Sequence, residues 1–183
     1  MRGPDEIPDQ QIAVPADDPV VDGRLYAPPL TWWPTPVTTA WQWLRDGRPI
    51  DGADRATYKP RAGDRGHAVS VRITTSRRFY RDGVYESDAR RIGWGRRPQA
   101  TARPSFVTPA LPGGVVRVSR GHWTQRPTDY TFTWSSDGRV LGHRRSLRVP
   151  RGLAGRLLTL EVVAHRAGHR DGRATVRTRV FRG

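Results

Sequence analysis

Apolar and polar residues alternate along several short stretches of this chain. In the first half Trp41 and Trp43 alternate with polar neighbours, as do Val69, Val71 and Ile73. In the second half Tyr130, Phe132 and Trp134 do so, followed by Leu158, Leu160 and Val162 and then by Val176 and Val180. A period of two places successive apolar side chains on one face of an extended strand, so these stretches are predicted to be half-buried strands. No segment sustains a 3.6-residue period, and 16 prolines with 19 glycines oppose long helices. Asp-Gly occurs at positions 46–47, 82–83, 137–138 and 171–172. Glycine supplies the positive φ of a tight hairpin, so a turn is predicted at each. The expected core residues are Trp43, Val71 and Ile73 in the first half, and Trp134, Leu160 and Val162 in the second.

The two halves repeat one pattern. Trp33, Pro36, Trp41, Trp43, Asp46 and Gly47 match Trp123, Pro127, Phe132, Trp134, Asp137 and Gly138. In both copies the proline lies seven residues before the second aromatic, and Asp-Gly lies three and four residues after it. Farther on, Gly66 to Val84 aligns without a gap with Gly155 to Arg173, at an offset of 89. A self-match in order, spacing and type predicts two units of like architecture.

The first copy reads TWWPTP, WQWLRDGRPI and ATYKPRAGDRGHAVSVRIT. In this it resembles the bacterial immunoglobulin-like repeats found in actinobacterial surface proteins and in phage structural proteins. The second copy departs from the pattern, with Ser135-Ser136 before its Asp-Gly and RGLAGRLLTLEVVA in place of the Asp-x-Gly-His step. The resemblance spans roughly residues 12–93 and 102–183. It implies an all-β chain of two tandem immunoglobulin-like β-sandwiches, at 12–93 and 104–183, joined by a linker at 94–103 and preceded by an extended arm at 1–22 whose end can form the first strand. Under that implication Trp43 and Trp134 sit on central strands, Trp33 and Trp123 pack at a sandwich end, and Trp94 joins the two domains. The fold serves many roles and fixes no activity.

Charge changes the picture because it is uneven. The chain of 183 residues has a net charge of +15, and all but one of its 32 basic residues are arginine. Asparagine and cysteine are absent and Gly, Ala and Pro abound, the bias of a GC-rich coding sequence, so the choice of arginine over lysine is not itself a functional signal. Its distribution is. Residues 1–93 carry 14 basic and 13 acidic residues, whereas residues 94–183 carry 18 and 4. Residues 1–22 have a net charge of −5 and contain four prolines, which predicts an extended acidic segment. Asp5, Glu6, Asp9, Asp17 and Asp18 are its candidate contacts to a basic surface. Arg117, Arg177 and Arg179 fall out of phase with Val116, Val176 and Val180, and are expected to line one outward sheet face. Arg144, Arg145, Arg148 and Arg151 cluster after the turn at Asp137-Gly138. These seven arginines form the candidate docking surface.

Catalytic and metal-binding patterns are missing. Without cysteine there is no disulfide, thiolate ligand or cysteine nucleophile. His67, His122, His143, His165 and His169 have no carboxylate at a ligand spacing, and His165 and His169 are separated by a predicted turn. The sequence holds no nucleophile elbow, phosphate loop or dinucleotide fingerprint. Asp51, Asp54 and Asp64 are read as solvated loop acids. Residues 92–104 contain no Asp or Glu, which disfavours calcium at the junction. The expectation is therefore a non-enzymatic protein with no cofactor and no metal. No stretch reaches the roughly 18 apolar residues of a membrane span, and MRGPDEIPDQ lacks the layout of a secretory signal. With Met1 as the start, a protein kept in the cytosol, or released by assembly or lysis, is expected.

Taken with the resemblance, these features imply a structural or adhesion protein at a phage virion surface, as a capsid decoration or tail component. Its expected partners are copies of itself, an acidic shell or tail protein, and a host cell-surface polymer. The alternative is a spacer or glycan-binding module of a secreted actinobacterial surface protein, placed extracellularly or in the cell wall. A third reading, a basic nucleic-acid-binding protein, is disfavoured because Tyr130, Phe132 and Trp134 are claimed by the core rather than by an exposed stacking groove.

Overall fold

The computed structural model describes residues 19–30 and 37–182, and the chain divides into two compact units between Gly93 and Trp94. The candidate arm contacts Asp5, Glu6, Asp9, Asp17 and Asp18 lie outside the described residues, as do Trp32 and Trp33.

In the first unit the strands are β1 (Leu25–Tyr26), β2 (Thr38–Arg45), β3 (Arg48–Pro49), β4 (Thr57–Tyr58), β5 (Ala68–Ser76), β6 (Gly83–Glu86) and β7 (Arg90–Arg91). β1 pairs with β4, and a second antiparallel sheet runs β3-β2-β5-β6, with β7 also on β5. Between the sheets lie Trp43, Tyr58, Val69, Val71, Ile73 and Ile92. In the second unit the strands are β8 (Ala100–Ala102), β9 (Val115–Arg117), β10 (His122–Trp123), β11 (Asp129–Ser136), β12 (Arg139–Gly142), β13 (Ser146–Arg148), β14 (Leu157–His165) and β15 (Gly172–Arg179). β9 pairs with β13, β8 with β10, and the larger sheet runs β12-β11-β14-β15. Its core joins Val116 and Leu147 from one sheet to Trp134, Leu160, Val162 and Val180 from the other. Each unit is thus an immunoglobulin-like β-sandwich, and helix among the described residues is confined to single 3-10 turns at Ala62–Asp64 and Arg151–Leu153.

The equivalent strands carry equivalent anchors. Trp43 on β2 and Trp134 on β11 are buried, and each indole N–H donates to a loop carbonyl, of Arg55 in one case and Arg144 in the other, at 2.8 Å. A buried indole needs such an acceptor. Asp46-Gly47 (φ 49° and 77°) closes the β2–β3 hairpin, and Asp137-Gly138 (φ 47° and 77°) closes β11–β12. Two consecutive positive φ values describe a type I′ turn, whose twist matches that of the strands.

The other two Asp-Gly pairs correct the expectation. Gly83 and Gly172 open strands β6 and β15 instead of forming turns, and the positive φ falls at Phe79 (70°) and Gly168 (75°). Glycine at 172 has a different cause. A Cβ there would lie 2.3 Å from the carbonyl oxygen of Pro98. Gly172→Ala is expected to destabilise the second unit by about 2 kcal/mol, as overpacking does, measured by urea unfolding.

Asp64 is a second correction. It is 1% exposed and not a solvated loop acid. Its carboxylate accepts from the Tyr58 hydroxyl (2.6 Å), the Arg61 backbone N–H (2.7 Å) and Arg45 Nη1 (3.2 Å). Burial and the Asp64 carboxylate push the Tyr58 hydroxyl well above its ordinary pKa. In the second unit the corresponding positions on β11, on β13 and in the second 3-10 turn hold Ser136, Leu147 and Leu153. The polar cluster is replaced there as a set. Leu147 and Leu153 pack on the core, and the Ser136 hydroxyl donates to the Leu157 carbonyl at 2.8 Å.

Asp46 supplies a pH-dependent tie between β2 and β5. Its Oδ1 accepts the Ala68 N–H at 2.9 Å and its Oδ2 meets His67 Nδ1 at 2.6 Å. The Ala68 N–H first, and then His67, hold this carboxyl below its ordinary value of 3.8. Because the folded pKa is the lower one, the stabilisation is complete above pH 3.8 and is lost as pH falls through the folded value. Asp46→Asn is expected to flatten the acid limb of the first unit's unfolding curve below that pH, with no change in slope at neutrality.

Candidate docking surface

Strand pairing sorts the seven candidate arginines onto different faces. In the β9–β13 ladder Leu147 lies opposite Val116, and both point into the core, so their neighbours point out. Arg117 lies opposite Ser146, and Arg148 opposite Val115, on that outward face. Val176 on β15 and Val180 just after it face the core from the other sheet, and Arg173, Arg177 and Arg179, in the alternate phase, are exposed. The expectation of one arginine-lined face is therefore wrong in one respect. Arg117 lies on one sheet and Arg177 and Arg179 on the other, so the core separates them. Phase along a strand tells inside from outside but not which sheet a strand joins.

The remaining arginines are held near the β9–β13 sheet. Arg144 and Arg145 sit in the bend between β12 and β13, where Arg145 Nε donates to the Val118 carbonyl at 3.0 Å. Arg148 donates to the Gly113 carbonyl at 3.1 Å, and the Arg151 side chain lies against Gly113. Arg117, Arg144, Arg145, Arg148 and Arg151 all keep exposed side chains. A guanidinium tied to a backbone carbonyl has a fixed direction while its other N–H groups remain available, which limits the entropy lost on engaging an acidic partner.

On the opposite sheet, Arg177 lies across from Thr159 and Arg179 across from Leu157. β15 is the terminal strand of its sheet, so arginines along it also oppose edge-to-edge pairing of strands. Three of the unit's four acids have basic side chains beside them: Glu161 meets Arg173 at 3.2 Å, Asp137 meets Arg156 at 3.6 Å, and Asp171 meets His165 Nδ1 at 2.8 Å. The fourth, Asp129, accepts the N–H of Tyr130. This leaves the unit a large surplus of exposed guanidinium.

The histidine reading changes as well. His67 and His165 each meet one carboxylate, Asp46 and Asp171. Spacing could not show this, because one contact depends on the pairing of β2 with β5 and the other spans the β14–β15 hairpin. Among the described residues no group of three or more His, Cys, Asp and Glu is placed to hold a metal ion. No helix among them is long and apolar enough to cross a membrane. Trp123 is half-buried, with its indole donating to the Arg120 carbonyl at 2.7 Å, and Trp94 is partly exposed.

Two features of the first unit escaped the sequence reading. Without its first 22 residues this unit is itself basic, with 13 basic and 7 acidic residues between positions 23 and 93. The β5–β6 hairpin also carries Phe79 at 90% exposure and φ 70°, beside exposed Tyr80, with Arg78 over the Phe79 ring and Arg77 over that of Tyr80. A phenylalanine held at positive φ with its ring in water gains little from folding. Phe79→Gly is expected to stabilise the first unit by about 1 kcal/mol, measured by urea unfolding.

No family model matches the chain, and no curated protein matches it. Among solved structures it is similar to the three N-terminal domains of the bacteriophage RB49 Highly Immunogenic Outer Capsid protein, at 13% identity over 90% of this chain and 55% of that one, with a TM-score of 0.35. It is also similar to the amphioxus IgVJ-C2 molecule, at 10% identity over 90% and 98% of the two chains (TM-score 0.42). A third likeness is to the ICAM-5 D1–D4 ectodomain fragment, at 14% identity over 93% and 52% (TM-score 0.40). The chain spans about half the length of the phage capsid fragment and of the ICAM-5 fragment. These likenesses concern the fold alone.

Proposed function

We propose that this chain is a non-enzymatic structural and adhesion protein of a phage virion surface, as a capsid decoration or tail component of a phage with an actinobacterial host. Its second immunoglobulin-like unit docks on an acidic shell or tail protein, aided by the acidic segment 1–22 reaching a basic surface of a neighbouring copy. The first unit serves adhesion to a host surface polymer. The observation that carries the docking reading is the exposed arginine surplus of the second unit, with two of its four carboxylates paired with arginine and a third with His165. Such a surface is complementary to an acidic partner and gives association that salt screens.

The two arginine faces make separable predictions. If the terminal strand docks, Arg177→Glu with Arg179→Glu weakens rebinding to stripped particles at least about tenfold at physiological salt. If the other sheet docks, Arg117→Glu with Arg148→Glu does so instead. Neither pair is expected to shift the unfolding midpoint appreciably, since all four side chains are exposed. Rebinding unaffected by both pairs contradicts charge docking, and assembly unchanged by deletion of residues 1–20 contradicts the role of the acidic segment.

A further inference from the structure

The first unit contains a concavity of about 490 Å³ whose charged lining is Asp22, Arg24, Arg55, Lys59 and Arg61, four cations to one carboxylate. It forms because β1 pairs with β4, which brings residues 22–26 beside residues 55–61. Leu25 lies opposite Tyr58 and both face the core. The alternation then turns Tyr26 and Thr57 outward, and Arg24 and Lys59 follow in the same phase. Lys59 Nζ is held 3.1 Å from Asp22 Oδ1, which fixes one cation at the rim. The Trp43 indole holds the Arg55 carbonyl, so the backbone that carries the Arg55 side chain is also fixed.

Two properties narrow the ligand. Three guanidinium groups and one ammonium favour an oxyanion group. Tyr26, on the same face as Arg24 and two residues along, is exposed. Tyr26 pairs with Thr57 of the lining, so its ring stands beside the concavity, next to a sugar whose carboxylate meets the cations. A cation beside an outward aromatic ring suits a unit that offers a carboxylate and an apolar ring face together, which inorganic anions and neutral sugars do not.

We infer that this concavity binds a carboxylated sugar residue of an acidic polysaccharide, with Arg24 and Arg55 engaging the carboxylate and Tyr26 stacking on the pyranose ring. The inference rests on the adhesive role proposed for the first unit and names its ligand class. It is independent of docking by the second unit.

The test is calorimetric titration of the intact chain with hexagalacturonate, cellohexaose and inorganic phosphate, with amide chemical shifts followed by NMR. Hexagalacturonate is expected to bind at least about tenfold more tightly than cellohexaose, with shifts at residues 22–26 and 55–61. Arg24→Ala with Arg55→Ala loses about tenfold in hexagalacturonate affinity. Tyr26→Ala loses about fivefold for the saccharide and nothing for phosphate. Arg139→Ala, at an exposed arginine of the second unit outside the docking surface, leaves saccharide affinity unchanged.

Equal binding of cellohexaose overturns the acid specificity while leaving the adhesive reading intact. Phosphate binding as tight as that of hexagalacturonate, together with an inert Tyr26→Ala, overturns the sugar and leaves a bare anion site. No binding of hexagalacturonate overturns the inference, and retention of the chain on whole host envelopes then shows separately whether adhesion survives.

Discussion

Asp64→Ala is expected to destabilise the first unit by about 3 kcal/mol, because it strips the acceptor from a buried cluster. The Tyr58 hydroxyl, the Arg61 N–H and one Arg45 N–H all end on that carboxylate. Removing it leaves the Tyr58 hydroxyl without its acceptor in a buried site, the costly way to break such a set. Arg45→Ser alone costs less, about 2 kcal/mol, since the buried Asp64 carboxylate loses its cation but keeps the Tyr58 hydroxyl and the Arg61 N–H. The second unit shows how the whole set can be replaced. Its Ser136, Leu147 and Leu153 occupy the equivalent positions. The triple change Arg45→Ser, Tyr58→Leu and Asp64→Leu is therefore expected to recover most of the stability lost by Asp64→Ala. Urea unfolding of the three variants checks this. A triple variant less stable than Asp64→Ala contradicts the equivalence.

Trp134→Ala is expected to have the largest effect in the molecule, about 4 kcal/mol on the second unit. The side chain is 0% exposed on the central strand β11, touches the Phe106 ring and donates to the Arg144 carbonyl. Truncation removes the indole, opens a cavity between the two sheets and leaves the Arg144 carbonyl without that donor. Since domains are stable by only about 5–15 kcal/mol, the second unit then unfolds well before the first. Two resolved transitions in calorimetry, with the earlier one absent from the unmutated protein, are the expected readout. Trp134→Phe, which keeps most of the volume but loses the hydrogen bond, is expected to cost about half as much.

What was legible in the sequence followed from local rules. The period of two around Trp43, Val71, Trp134 and Leu160 marks buried strand faces because it needs no knowledge of partners. Asp46-Gly47 and Asp137-Gly138 mark hairpins because two residues decide a type I′ turn. The same rule failed at Asp82-Gly83 and Asp171-Gly172, where a longer hairpin puts its left-handed residue at Phe79 or Gly168 and the approach of Pro98 requires glycine at 172. Asp64 was misread because its burial depends on Tyr58 and Arg45, each contributed by a different strand. The arginines lie outward on their strands, but their division between faces depends on sheet order, which alternation does not encode. The cationic concavity lay in plain residues, yet only the β1–β4 pairing brings Arg24 beside Lys59.

The proposed function depends on the second unit docking by charge within a particle. The direct measurement is the copy number of the intact chain, relative to the shell or tail protein, in purified virions washed at low and at high salt. The account predicts a fixed ratio at low salt and release of the chain as salt rises through the range that screens arginine contacts. Absence of the chain from the particles, or retention that salt does not alter, would contradict it.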